Sequence, residues 1–127
     1  HIAIAVPDLS SASEIYKNIL GANVSDPVPM PDHGVTTVFV ELPNTKIELL
    51  EPLGDDTPIG RFLDKRGQGI QQVAFEVEDL DSLLIRLKTE GIRLINEVPA
   101  RGSHGSRIVF VHPSSTGGVL VELLQYD

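Results

Sequence analysis

Apolar residues in this chain fall into short β-branched runs and helical stripes, and their order occurs twice. Residues 2–6 are a continuous apolar run that predicts a buried strand, ended by Pro7-Asp8. Asp8 suits a helix N-cap. Leu9, Ala12, Ile15, Tyr16, Ile19 and Leu20 then share one face of the predicted helix, and Gly21 closes it. Residues 22–25 read as a short strand. Residues 26–34, with three prolines, read as a loop. Residues 35–42 and 46–50 read as a hairpin that turns at Pro43-Asn44-Thr45.

A connector follows at 53–69. Asp55-Asp56-Thr57-Pro58 marks a helix start, with Pro58 in the first turn. Ile59, Phe62 and Leu63 give this helix an apolar face, and Gly67 ends it. The pattern then restarts. Residues 73–77 predict a strand. Asp79 or Asp81 caps a helix carrying Leu80, Leu83, Leu84 and Leu87, which stops at Gly91. Residues 93–97 read as a short strand, 100–106 as a Gly/Ser-rich loop, and 107–111 with 119–125 as the last hairpin.

The recurrence extends to residue identity. His1-Ile2-Ala3-Ile4-Ala5-Val6-Pro7-Asp8-Leu9 returns as Gln72-Val73-Ala74-Phe75-Glu76-Val77-Glu78-Asp79-Leu80. Thr37 to Pro43 returns as Arg107 to Pro113, and Lys46 to Glu51 returns as Val119 to Gln125. Two copies of one β-α-β-β-β module predict an α+β fold. Its two βαβββ modules are expected in a pseudo-two-fold arrangement, forming a curved mixed sheet around a cleft. The expected organisation is one domain, 1–127, with module 1 at about 1–52, a connector at 53–69 and module 2 at about 70–127.

Composition narrows the function. The 127 residues suffice for one domain, and 41% hydrophobic content is ordinary for a globular chain. No apolar run reaches the length of a membrane span. The absence of cysteine excludes disulfides, thiolate metal sites and cysteine nucleophiles. A formal charge of −8 argues against nonspecific nucleic-acid or anionic-membrane binding. It leaves room for an anionic small ligand where a local cation reverses the field. The chain opens at His1 without an initiator Met, so residues are expected to precede it. The expected location is the cytoplasm, or the mitochondrial matrix in a eukaryote.

The matched polar positions carry the candidate chemistry. In Ile47-Glu48-Leu49 and Val121-Glu122-Leu123 a single carboxylate interrupts an apolar strand. A buried carboxylate needs a partner; either residue alone is equally compatible with the solvent face of a half-exposed strand. Their symmetry-matched placement favours a shared site. His1 matches Gln72, each at the entrance of a strand. A His, a Gln and two carboxylates form a plausible first shell for a divalent cation. His112 is expected to serve the hairpin, His33 a turn, and His104 a loop that covers a ligand. Lys65, Arg66 and Arg61 form the densest basic cluster, which charge alone assigns to a solvated helix face. No nucleophile elbow, P-loop, Rossmann fingerprint or H-E-x-x-H motif occurs.

These stretches resemble the vicinal oxygen chelate superfamily, the glyoxalase, bleomycin-resistance and dioxygenase proteins. Within it they are most similar to the methylmalonyl-CoA epimerase family. The likeness rests on His1 to Leu9, Tyr16 to Ala22, Lys46 to Pro52, Asp56-Thr57-Pro58-Ile59, Lys65-Arg66-Gly67 and His112-Pro113 through Gly118 to Leu123, in family order over nearly the whole chain. The resemblance implies metal ligands at His1, Glu48, Gln72 and Glu122, and a divalent cofactor from among Co, Mn, Mg, Ni and Zn. It implies an acyl-CoA substrate, a homodimer, and epimerisation at C2 of methylmalonyl-CoA with Glu122 and Glu48 as acid/base pair. Arg61, Lys65 and Arg66 would then help to hold the CoA phosphates.

Two positions depart from the family pattern. Gln71-Gln72 stands where the epimerases usually have His-His, and Thr37 stands near where some relatives carry a carboxylate. The alternatives that remain are a glyoxalase-like lyase and a metal-free binding protein of the same fold. The usual two-His, one-carboxylate set of an iron dioxygenase would need a His in place of Gln72.

Overall fold

The computed structural model describes all residues, His1–Asp127. The fold is α+β, and the chain divides into two compact units, His1–Gln71 and Gln72–Asp127. The connector belongs to the first unit. Its helix packs on that unit's strands.

In the first unit, β1 (Ile2–Ala5) leads into α1 (Leu9–Glu14). Asp8 caps α1 by accepting from the backbone N–H groups of Ser10 and Ser11 and from the Ser11 hydroxyl. A π-helical segment, Ile15–Ile19, continues α1. Next come β2 (Asn23–Val24), β3 (Val28–Met30), β4 (Val35–Glu41), β5 (Lys46–Pro52) and α2 (Pro58–Arg66). β1 runs parallel to β5, and β5 pairs antiparallel with β4; β2 and β3 both pair with β4. Leu9, Val6, Val38, Val40 and Leu49 form the core under α1. Ala3, Ala5, Val35, Leu50 and Ile59 form the core under α2 on the other face.

The second unit repeats this construction. β6 (Gly69–Glu76), which carries the boundary between units, leads into α3 (Leu80–Thr89). Then follow β7 (Ala100–Arg101), β8 (Arg107–Val111) and β9 (Val121–Gln125). β6 runs parallel to β9, β9 antiparallel to β8, and β8 antiparallel to β7. Leu80, Leu84, Val109, Val111 and Leu123 pack under α3; Ala74, Ile108 and Leu124 occupy the opposite face.

The repeat extends to single hydrogen bonds. Asp79 caps α3 through Ser82 as Asp8 caps α1 through Ser11. A side chain at the end of the parallel partner strand takes the next helix N–H in both units. Leu9 donates to Glu51 Oε2 at 2.6 Å, and Leu80 donates to Gln125 Oε1 at 2.8 Å.

The structure departs from the sequence expectations in four places. The helical stripe puts Ile15, Ile19 and Leu20 on the buried face, yet all three are exposed. The π turn, with Leu20 N–H donating to Ile15 O, adds a residue and rotates the following side chains by roughly 100°. The proline-rich stretch read as a loop contains β3, which as an edge strand tolerates Pro29. Residues 93–97 form only an isolated bridge, Leu94 to Val111. Of the two caps the sequence offers for α3, Asp79 is the one used. The first strands of the two hairpins correspond one residue away from the sequence match. Phe39 lies opposite Glu48, and Phe110 lies opposite Glu122. Thr37 therefore corresponds to Ile108, while Arg107 faces α3 and pairs with Asp81. A one-residue slip exchanges the faces of a strand, and the hairpin ends, where the sequences look most alike, do not determine the register.

Candidate functional site

The strands place the two glutamates alike. In β5, Ile47 and Leu49 point toward α1, so Glu48 points to the opposite face. Its cross-strand neighbours are Ala3 on β1 and Phe39 on β4. In β9, Val121 and Leu123 point toward α3, and Glu122 lies between Ala74 on β6 and Phe110 on β8. Each carboxylate thus sits between an alanine and a phenylalanine. Alanine leaves room beside the carboxylate for another group. Phenylalanine excludes water from its other side.

Both are buried, Glu48 at 8% and Glu122 at 6% exposure. The expectation that these carboxylates do not face bulk solvent holds within each unit. His1 is brought to Glu48, with Nε2 at 3.5 Å from Oε2. Gln72, buried like its neighbour, donates from Nε2 to Glu122 Oε2 at 3.3 Å. The predicted set therefore assembles as two matched pairs, one in each unit. No three His, Cys, Asp or Glu side chains gather at metal-holding spacing; each pair has one carboxylate, and glutamine completes the second.

The other singled-out residues take structural roles. His112 caps the 3-10 turn Pro113–Ser115, its Nδ1 meeting the backbone N–H of Ser114 at 3.0 Å. His33 ends the 3-10 turn Pro31–His33, which closes on left-handed Gly34. Arg61 is engaged by Asp56 at 2.8 Å, and the Arg66 guanidinium lies 5.9 Å from the centre of the Phe62 ring. Lys65 is exposed on the same helix. Thr37 is fully buried, and its hydroxyl donates to Val28 O at 3.4 Å.

Sequence reasoning missed the alanines and phenylalanines that flank the carboxylates. Each alanine stands two residues after the matched His1 or Gln72, a signal that becomes usable only once the register places it beside the glutamate. A cavity of about 430 Å³ lies on the α1 face, lined by Ile4, Val6, Ser11, Tyr16, Leu49 and Gln68. It opens on the side of the sheet away from Glu48.

A βαβββ unit built twice, with a buried polar pair in each copy, defines the class. The chain belongs to the glyoxalase/bleomycin resistance protein/dioxygenase superfamily, which it matches over residues 1–110. Among its relatives, bovine mitochondrial methylmalonyl-CoA epimerase is 52% identical over 98% of this chain and 72% of its own length. The crystal structure of methylmalonyl-CoA epimerase from Mycobacterium tuberculosis superposes with a TM-score of 0.92 at 42% identity, covering 100% of this chain and 86% of that one. A methylmalonyl-CoA epimerase in complex with methylmalonyl-CoA and ammonium gives a TM-score of 0.92 at 34% identity, covering 99% and 92%.

Proposed function

We propose that this chain is an epimerase that interconverts the C2 epimers of methylmalonyl-CoA. The observation that carries the reading is the pair of buried carboxylates, Glu48 and Glu122, at one matched register position in the two units. The similarity to methylmalonyl-CoA epimerases over almost the full chain supports it.

His1, Glu48, Gln72 and Glu122 would hold a divalent cation, the two units acting as one domain. The donors fit such an ion: one imidazole, one amide carbonyl and two carboxylates suit a hard to borderline divalent metal and neutralise its charge. When bound, the cation supplies electrostatic stabilisation to oxygens that gain charge as a proton leaves the adjacent carbon.

The protein residues perform the proton transfers. One carboxylate accepts the C2 proton, and the electron pair it leaves spreads onto the thioester oxygen. A proton delivered from the other side of the plane to C2 gives the inverted centre. Glu122 is the base in this reading and Glu48 its partner. Each carboxylate has two oxygens, so one can hold the cation while the other handles a proton. Gln72 donates to Glu122 Oε2, which fixes the orientation of that carboxylate. Phe39 and Phe110 keep water from the reacting groups.

A homodimer belongs to the same proposal. Exposed Ile19, Leu20, Ile85 and Val98 offer apolar surface for association. No helix is long and apolar enough to cross a membrane. The proposed compartment is the cytoplasm, or the mitochondrial matrix in a eukaryote.

Deuterium incorporation at C2 of methylmalonyl-CoA in heavy water, with Co, Mn, Mg, Ni or Zn supplied, tests the reading. The wild type should exchange with at least one of them, and Gln72→His should preserve exchange and keep or raise metal affinity. A wild type that exchanges with none of the five refutes the epimerase.

A further inference from the structure

The two units supply their carboxylates alike, but only one of them places a cation alongside. Two residues before Glu48 on β5, and on the same face, stands Lys46. Two residues before Glu122 stands Leu120. The β1 register, Ile2 with Ile47 and Ala3 with Glu48, brings His1 level with Lys46 on the neighbouring strand.

Lys46 is half-buried, and its ammonium lies over the ring of Phe39, 5.9 Å from the centroid. Phe39 is the residue directly opposite Glu48. The lysine therefore leans to the β4 side of Glu48, while Glu48 meets His1 on the β1 side. A lysine stem covers apolar surface readily, and the face of an aromatic ring attracts the charge at its end. The chain has 18 acidic and 10 basic residues, yet Lys46 takes part in no ion pair. Glu41, opposite it at the end of the hairpin, is exposed. An ammonium held on a ring beside a buried carboxylate is available to a second anion.

The chemistry of the substrate supplies that anion. In methylmalonyl-CoA, C2 carries a carboxylate and a thioester carbonyl, two planar groups of similar shape that differ in charge. Carboxylates matched by a repeat do not distinguish the two groups. A cation present in the first unit alone does, because opposite charge fixes the register of a bound molecule.

We infer that Lys46 binds the carboxylate of the substrate and so sets which way round the malonyl group lies. The inference rests on the epimerase reading for the ligand. The contact is a charge-assisted hydrogen bond from the ammonium to a carboxylate oxygen. The CoA phosphates are separated from C2 by the whole pantetheine arm, so an ammonium beside Glu48 meets the carboxylate and not a phosphate.

Calorimetry on the metal-supplied protein, alongside the exchange assay, tests this with methylmalonyl-CoA and with propionyl-CoA, which keeps the phosphates and lacks the carboxylate. Lys46→Met keeps the apolar stem and loses the charge. It should weaken methylmalonyl-CoA binding roughly tenfold and leave propionyl-CoA within about twofold of the wild type. Exchange should lose kcat/KM by at least roughly the same tenfold factor. Lys46→Arg, which keeps the charge, should bind methylmalonyl-CoA within about threefold of the wild type. The melting temperature of Lys46→Met should match the wild type, because its stem still covers Phe39. Unchanged methylmalonyl-CoA affinity in Lys46→Met overturns the proposal. So do equal losses for the two ligands, which assign Lys46 to a phosphate. Where the wild type exchanges the C2 proton, either result leaves the epimerase standing. A wild type that binds methylmalonyl-CoA without exchange, and loses affinity for it alone in Lys46→Met, refutes the epimerase and leaves Lys46 standing. A wild type that neither binds nor exchanges overturns both.

Discussion

Glu122→Gln should separate stability from chemistry. The side chain is 6% exposed, lies between Ala74 and Phe110, and accepts from Gln72 Nε2 at 3.3 Å. Glutamine has the same shape and retains an oxygen that can accept from Gln72. No cavity forms and the Gln72 donor keeps its acceptor, so the packing cost is small; the amide NH2 that replaces the other oxygen is a new buried donor, which offsets part of the gain from removing the charge. The charge disappears from a site with little water, and replacing buried charges by neutral groups of similar volume is often neutral or stabilising. In chelator, urea unfolding should therefore show stability within about 1 kcal/mol of the wild type. Supplied metal should stabilise the variant less than the wild type, because a ligand that binds only the folded state adds stability in proportion to its affinity. Exchange at C2 should fall by about 10³, within the range for loss of a general base. If the variant instead loses more than about 1 kcal/mol in chelator while exchanging at the wild-type rate, the carboxylate is structural. The assignment of Glu122 as base would then be wrong.

Two further predictions address the scaffold. Hydrogen bonds from Ser11 and Ser82 hold the Asp8 and Asp79 carboxyls below their ordinary pKa of 3.8. A carboxyl with a lowered folded-state pKa stabilises the fold above its unfolded value, and that contribution is lost as pH falls from about 3.8 through the folded value. The double variant Asp8→Asn, Asp79→Asn keeps both caps but should flatten this part of the urea-midpoint profile; an unchanged acid limb would refute the assignment. Gly60→Ala in α2 should destabilise by about 1–3 kcal/mol, despite the better helix propensity of alanine, because its Cβ would run into the carbonyl oxygens of Gly54 and Asp55. Thermal unfolding checks this, and a raised melting temperature would show that the turn yields.

Much of the fold could be read locally. Apolar runs marked the main strands, Asp8 marked the start of α1, and the start of α3 was narrowed to Asp79 or Asp81. The repeat matched Glu48 with Glu122 and His1 with Gln72 before any contact was known. The apolar runs and caps lie within a few residues of the elements they mark, where side-chain type directly sets backbone preference. The apolar residues around each glutamate left its burial open, and the symmetry-matched placement of the two favoured it.

What remained depended on contacts between distant segments. Glu51 and Gln125 cap helices 42 and 45 residues away in sequence. Nothing near either residue announces the bond, because the partner N–H is delivered by the parallel strand. The hairpin registers, and with them the alanine and phenylalanine beside each glutamate, were set by the packing of whole faces against α1 and α3, which outweighs the likeness of the turns. The π turn that exposes Ile19 and Leu20, and the left-handed backbone of His104 (φ 56°) in the 3-10 turn Ser103–Gly105, arise from closing a helix and a loop onto a finished sheet. Local pattern determines which elements form. The register and the strain, which decide what stands beside each carboxylate, are determined only when those elements pack.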